Sequence, residues 1–362
     1  MVYYLVLVFL VVMGTLTLTN LNRITLLFFS VLAFFLMLMF GGLRYNVGAD
    51  WYSYERIFNE TRFDNVFEIG IEPFFNLLIV VIKYFNLNYL FFVFTVFAIA
   101  TAIKFSFLFK YSNSFFAALL VYFPIQFMAY DINGIRQGLA IGIVFCSVDS
   151  LLKKKIWMFL IIVSLAMCFH YSAVIFFPFY FIANKKIKPK YIHITITLSI
   201  VLGFLLQKII LSVLLPRLSG LESIFAQKVF SYSSSEEFGQ GISLGFSTLH
   251  RLLIFYLFFI FYDKIKLKDP LKNILLNSYL ISLVLFFLFS AIEIVASRGS
   301  LYYRSFDILI IASFLTIPNK FQYKFCIFLL ICAYSFFGVY TNLKLSENGL
   351  IPYDNSLFYL LR

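Results

Sequence analysis

Long apolar runs follow one another along almost the whole chain, broken only by short polar connectors, and this succession constrains the fold more than any other feature. A helix that crosses a bilayer needs about 20 mostly apolar residues. Runs of roughly that kind cover residues 2–19, 24–43, 89–109, 115–130, 135–152, 191–215, 249–262, 273–292, 306–317 and 324–341. Shorter runs cover 73–85, 156–169 and 172–183. These three are expected to be tilted, partly penetrating or shielded by protein. The fold class that follows is an all-α polytopic membrane protein with about 11–13 transmembrane or partly penetrating helices.

Composition agrees. Hydrophobic residues make up 62% of the chain and charged ones 13%, whereas soluble domains carry roughly 45–50% and about 25%. The 50 Phe and 24 Tyr exceed what one globular core holds and suit an outer surface facing lipid, with tyrosines at its interfaces. The net charge of +12 would point to nucleic acid in a soluble chain. Here the basic residues lie mainly between apolar runs, so membrane topology accounts for them and no nucleic-acid partner is expected. Cys146, Cys168, Cys326 and Cys332 lie inside apolar runs without a CxxC pair, which gives neither a disulfide framework nor a zinc site. The first run lacks a basic leader and a small-residue cleavage site, and reads as a retained span.

Orientation comes from the connectors. Residues 153–155, 185–190, 264–272 and 320–324 hold thirteen lysines, against Asp263 and Asp269. The positive-inside rule places them in the cytoplasm. The connectors around Arg136 and His170, residues 216–247 and 296–304, and the tail then fall outside. The first large loop, 44–72, carries three arginines against six carboxylates and also reads as external. An even number of crossings must separate an outer Glu72 from an outer Arg136, yet three apolar runs lie between them. Pro124 and the Asp131-Ile132-Asn133-Gly134 turn single out 115–130 as the broken or re-entrant run. The chain is read as one membrane domain, 1–362, with outer loops at about 44–72 and 216–247.

A charged side chain at bilayer depth costs at least about 2.5–3.5 kcal/mol, so such residues normally face a partner or a polar cavity. The ones to explain stand at outer span ends. Arg44 and Asp50, in Gly42-Leu43-Arg44-Tyr45-Asn46-Val47-Gly48-Ala49-Asp50, offer an anion-binding group and an acid–base group on a glycine-permitted turn. The plain alternative is a snorkelling Arg and a loop-capping Asp. Arg136 and Gln137 open an inward-running helix whose free N–H groups favour an anion; a polar start to an ordinary span is the alternative. His170 stands at a tight outer corner and suits proton transfer, or simply a structural hydrogen bond. Arg251, beside His250, starts another span. Arg298 and Arg304 bracket Ser300-Leu301-Tyr302-Tyr303, as a phosphate clamp or with Arg304 paired to Asp307. Five arginines on one face fit an anionic, lipid-borne substrate, and the aromatic loops (Trp51, Tyr52, Tyr54, Tyr302, Tyr303, Tyr353) suit stacking on sugars or plain interfacial anchoring.

Taken in order, these motifs resemble a known family. Leu43-Arg44-Tyr45-Asn46-Val47-Gly48-Ala49-Asp50 followed by Tyr54, then Glu72-Pro73-Phe74-Phe75, Ile135-Arg136-Gln137-Gly138-Leu139-Ala140, His170-Tyr171-Ser172-Ala173, a late Arg–Tyr cluster and Ile351-Pro352-Tyr353 are similar to the EpsG-like branch of the Wzy oligosaccharide repeat-unit polymerases. That resemblance implies a GT-C-like glycosyltransferase fold in the cytoplasmic (inner) membrane, its active site facing the periplasm or cell exterior. It implies transfer of a growing O-antigen, capsule or exopolysaccharide chain from undecaprenyl diphosphate to a carrier-linked repeat unit, beside a flippase and a chain-length regulator. On that reading Asp50 is the base, with His170 second. Arg44, Arg136, Gln137, Arg251, Arg298, Arg304 and Tyr54 bind substrate, and Glu72 only starts the next helix. No DxD carboxylate motif is present, so the transfer is read as free of metal and cofactor. The competing readings are a lipid-linked oligosaccharide flippase and, ranked lower, a membrane O-acyltransferase.

Overall fold

The computed structural model describes residues 1–19, 21–67, 70–209, 245–291, 293–345 and 349–357. The expected outer loop at 216–247 lies almost wholly outside them. Among the described residues, seven helices are long and apolar enough to cross a membrane, and six shorter apolar helices accompany them. The chain is an all-α polytopic membrane protein. Of the ten runs expected to span, 2–19, 249–262 and 306–317 form helices shorter than that length criterion.

The described residues cluster into two compact units. The first holds residues 1–174, 264–266 and 308–362. Its helices in chain order are α1 (Val2–Thr17), α2 (Arg23–Gly42), α3 (Trp51–Glu60), α4 (Pro73–Tyr84), α5 (Tyr89–Tyr111), α6 (Phe115–Tyr122), α7 (Ile135–Leu152) and α8 (Ile156–Phe169). Local chemistry sets the starts. Asn22 and Asn88 accept hydrogen bonds from Thr25 and Phe91 at the heads of α2 and α5, satisfying N–H groups the helix leaves open. Pro73 at the first position of α4 supplies a preset φ where no N–H is needed.

Every residue of α6 is buried, as is most of α7, so these two form the centre of the unit. α6 continues without a break as a π-helix, Phe123–Asn133. Pro124 brings no N–H to that ladder, and its own carbonyl accepts from Asn342 Nδ2 at 3.0 Å. Together they form a 19-residue apolar stretch, Phe115–Asn133. This corrects the expected re-entrant assignment, because the proline widens the helix and does not break it.

Of the three apolar runs between Glu72 and Arg136, counting α6 with its π-helix as one, the shortest is α4. At 12 residues it is about 18 Å long, and both of its ends are tied to the loop before it. Asn76 donates to Val66 and Ile71, while Lys83 at the far end donates to the Asn59 and Thr61 carbonyls. Tyr89, opening α5, donates to the Trp51 carbonyl. α3, α4 and the head of α5 are therefore bonded to one another, and the crossing count closes if α4 stays on one face.

The second unit holds residues 175–263 and 267–307, with α9 (Pro189–Ile209), α10 (Phe246–Ile260), α11 (Asp269–Leu288) and α12 (Glu293–Arg304). α11 is its centre, packed on α9, α10 and α12. Ser278 and Asn277 on α11 bond the carbonyls of Tyr303 and of the chain turn at 182–185. After α13 (Asp307–Ser313) comes α14 (Phe321–Lys344), and a closing segment follows it. α14 packs on the π-helical segment of the first unit.

Candidate active site

The loop after α2 is held from three directions. Asn46 and Gly48 adopt positive φ values of 52° and 111°. At Gly48 a side chain would also press on the Ile132 carbonyl and Asn133 Oδ1, both 3.0 Å from an ideal Cβ. The Gly48 N–H donates to Gly349 and the Ala49 N–H to Asn133 Oδ1. The C-terminal segment closes the third side. Tyr45 N–H donates to Asp354, Ser356 N–H donates to Leu43, and Tyr353 Oη donates to Phe40. The closing Ile351-Pro352-Tyr353 motif thus belongs beside the first loop, with the Ile351–Pro352 bond in cis.

Arg44 lies at the centre of that clamp and is 2% exposed. Its Nη1, Nη2 and Nε atoms donate to the carbonyls of Gly41, Ile132 and Val47 at 2.7, 3.0 and 3.3 Å. The guanidinium also lies near the Trp51 and Phe97 rings. Arg44 was a candidate substrate ligand from sequence; the structure turns it inward, where it joins the end of α2 to the turn before α7. Asp50 lies exposed at the head of α3.

A polar cluster of the first unit centres on a residue that sequence reasoning assigned only to a helix start. Glu72 Oε2 accepts from Arg136 Nη1 at 2.6 Å, and Oε1 is 2.8 Å from His170 Nδ1. The Tyr171 N–H donates to the same Oε1 at 3.2 Å. The Glu72 side chain is only 4% exposed, whereas Arg136 and His170 keep 24% and 19%. Burial pushes the Glu72 carboxyl up, but the His170 hydrogen bond and the charges of Arg136 and His170 outweigh it and hold the group at about 2. Because an ionised carboxylate only accepts, the contact makes His170 Nδ1 the donor and leaves Nε2 to act as a base in the neutral ring.

Aromatic rings frame this cluster. The Arg136 guanidinium lies 5.7 Å from the Tyr54 ring and 5.9 Å from Phe75, the second residue after Pro73. Arg136 Nε and Gln137 Nε2 are buried without a hydrogen-bond partner among the described residues. Two neighbouring donors at a helix start are thus left without a protein acceptor. Arg136, Gln137, His170 and Tyr54 are sequence candidates that the fold brings to or beside one cluster.

Arg251, Arg298 and Arg304 belong to the second unit. Arg251 is 5% exposed, its guanidinium 3.9 Å over the Phe286 ring and its Nη1 3.4 Å from Ser300 Oγ. Where Arg44 bonds backbone carbonyls, Arg251 meets this ring and this hydroxyl, and it lies in the second unit while the Glu72 cluster lies in the first. Arg298 is exposed on α12 and Arg304 half-buried at its end.

A second buried charge group escaped the sequence reading. Lys104, past the middle of α5, pairs with Asp131 of the π-helix, and both side chains are fully buried. Tyr122 Oη donates to the other Asp131 oxygen at 2.5 Å. A lysine more than a turn inside a 23-residue apolar helix, away from the Lys110 at its end, was the available signal. Among the described residues, no three of His, Cys, Asp and Glu gather in a way that could hold a metal ion.

The sequence profile of the EpsG family matches residues 26–355, which takes in the first loop, Glu72, Arg136, His170 and the closing segment. The chain belongs to the EpsG family. Among the curated relatives of this EpsG-family chain is the amylovoran biosynthesis protein AmsC of Erwinia amylovora. It is 26% identical over 323 residues, covering 85% of this chain and 84% of the relative. No solved structure matches the chain.

Proposed function

We propose that this EpsG-family protein is a membrane glycosyltransferase that polymerises carrier-linked oligosaccharide repeat units. The carrier is undecaprenyl diphosphate and the site faces the periplasm or cell exterior, a reading supported by the positive-inside rule applied to the lysine-rich connectors. The product is an exopolysaccharide or a related surface glycan, in keeping with the name of the amylovoran relative. A flippase that supplies the repeat unit and a chain-length regulator are its expected companions.

One observation carries the reading. A buried, ionised Glu72 is bonded to both His170 and Arg136. Glu72 holds the imidazole in the tautomer that offers Nε2, the arrangement in which a carboxylate orients a histidine base. His170 Nε2 takes the proton of the acceptor hydroxyl. The acceptor oxygen bonds to the donor's anomeric carbon as the bond from that carbon to the diphosphate oxygen breaks. The electron pair leaves on the diphosphate. Arg136 and the Gln137 amide meet that growing charge with donors already in place. His170 therefore ranks ahead of Asp50 as the base.

The test is growth of polymer by purified protein supplied with carrier-linked repeat unit. His170→Ala and Glu72→Gln are expected to stop chain growth while still binding repeat unit. Normal growth by either folded variant would remove this mechanism. Deletion in cells is expected to leave single repeat units outside the membrane; accumulation inside would make the protein a flippase.

A further inference from the structure

A second site lies between α3 and the head of α5, and nothing in the transfer chemistry above uses it. Tyr45, Trp51, Tyr52 and Tyr89 line a cavity of about 250 Å³, together with Glu55 and Asn88. We infer that this cavity is a glycan subsite that holds one uncharged sugar ring of the substrate; the inference rests on the glycosyltransferase reading.

Its chemistry narrows the ligand. The walls are aromatic, with Trp51 set edge-on to Tyr89 at 5.0 Å and to Tyr45 at 6.0 Å. Such rings pack against the C–H face of a pyranose while their edges stay wet. The polar groups accept and donate to hydroxyls. Among the described residues the Glu55 carboxylate takes no hydrogen bond or ion pair, and two adjacent sugar hydroxyls can donate to its two oxygens. Asn88 spends its Oδ1 on capping α5, which leaves its amide N–H groups for an acceptor. A carboxylate in the wall repels a phosphate or an acidic sugar, so the occupant is neutral. The volume lies below the roughly 300–1,000 Å³ of pockets for drug-sized ligands, so it takes a ring and not a chain.

Position ties the cavity to the reaction. Trp51 and Tyr54 are three residues apart on the buried face of α3, about 4.5 Å along its axis. Trp51 lines the cavity, and Tyr54 lies against Arg136. One short helix therefore sets the spacing between a held sugar and the Glu72–His170–Arg136 cluster.

The chain has two tryptophans, and Trp157 is 76% exposed on α8. In full-length protein carrying Trp157→Phe, Trp51 is the only indole and reports on the cavity. Titration with neutral oligosaccharides cut from the source cell's own surface polysaccharide is expected to shift its emission saturably. Inorganic diphosphate should leave it unchanged. Tyr52→Ala, at a side chain 66% exposed, and Glu55→Gln should each weaken the response about tenfold. Absence of a saturable shift, or equal shifts in these variants, overturns the subsite. Polymer length separates the two readings: if His170→Ala abolishes polymer while Tyr52→Ala and Glu55→Gln give wild-type lengths, the subsite fails and the transferase reading stands. Wild-type polymer from His170→Ala sinks the transferase reading itself.

Discussion

Glu72 acts through its burial. A carboxylate 4% exposed and bonded on both oxygens is fixed in place, and it fixes two groups of more evident chemistry. Its ionisation follows a definite sign. Its folded value of about 2 lies below the ordinary 4.5. The stability it contributes is therefore fully present above about pH 4.5 and is lost as pH falls toward 2. Glu72→Gln should lower stability by roughly 2 kcal/mol at neutral pH, because Arg136 is left without its counter-charge but keeps some water. Thermal melts of the two proteins in detergent should converge as the pH is lowered toward 2. A gap independent of pH would deny Glu72 its charge. Arg136 makes a different point. Lysine keeps the charge but loses the planar fork and the packing on Tyr54 and Phe75. Arg136→Lys should slow chain growth by about 10²–10³-fold, measured on membranes with matched protein levels; activity within a few-fold of wild type would show that charge alone suffices.

Among the elements, the π-helix does the most to set the site. Asp131, Ile132 and Asn133 at its end meet Lys104, Arg44 and the Ala49 N–H in turn, and Gly134 then opens the helix that carries Arg136. Gly138 lies directly over this turn, where an ideal Cβ would come within 2.6 Å of Asp131 Oδ1 and 2.8 Å of the Tyr130 carbonyl. Gly138 is thus explained by close backbone approach to the π-helix. Removing one partner of a buried pair strands the other charge, so Lys104→Ala is expected to cost roughly 3–5 kcal/mol. The double variant Lys104→Met, Asp131→Leu should recover much of that, read by melting temperature. A double variant as unstable as the single one would mean that Asp131 is required for its bonds and not for its charge. Lysine and aspartate in separate apolar runs gave the sequence no sign that they meet, since pairing across helices is set by packing and not by spacing.

For the whole molecule, the class of fold was legible because apolar length is a local property that needs no knowledge of neighbours. Arg136 and His170 stood out for the same reason, as polar groups at the ends of apolar runs. The burial of Arg44 and Arg251 was not legible, because a guanidinium bonded to backbone carbonyls or set over a ring within a bundle looks the same in sequence as an exposed one. Nor was it visible that both ends of α4 are bonded to the preceding loop, through Asn76 and Lys83, an arrangement that suits a helix staying on one face. In a cysteine-free background, single cysteines at Asn59 and Phe85 should both react with an impermeant thiol reagent from the same side of the membrane. Labelling from opposite sides would restore α4 as a crossing. The most direct test is polymerisation of carrier-linked repeat unit by purified wild type, Glu72→Gln and His170→Ala, each checked for fold. Polymer from the wild type alone is the predicted result, and polymer of ordinary length and rate from either folded variant would contradict it.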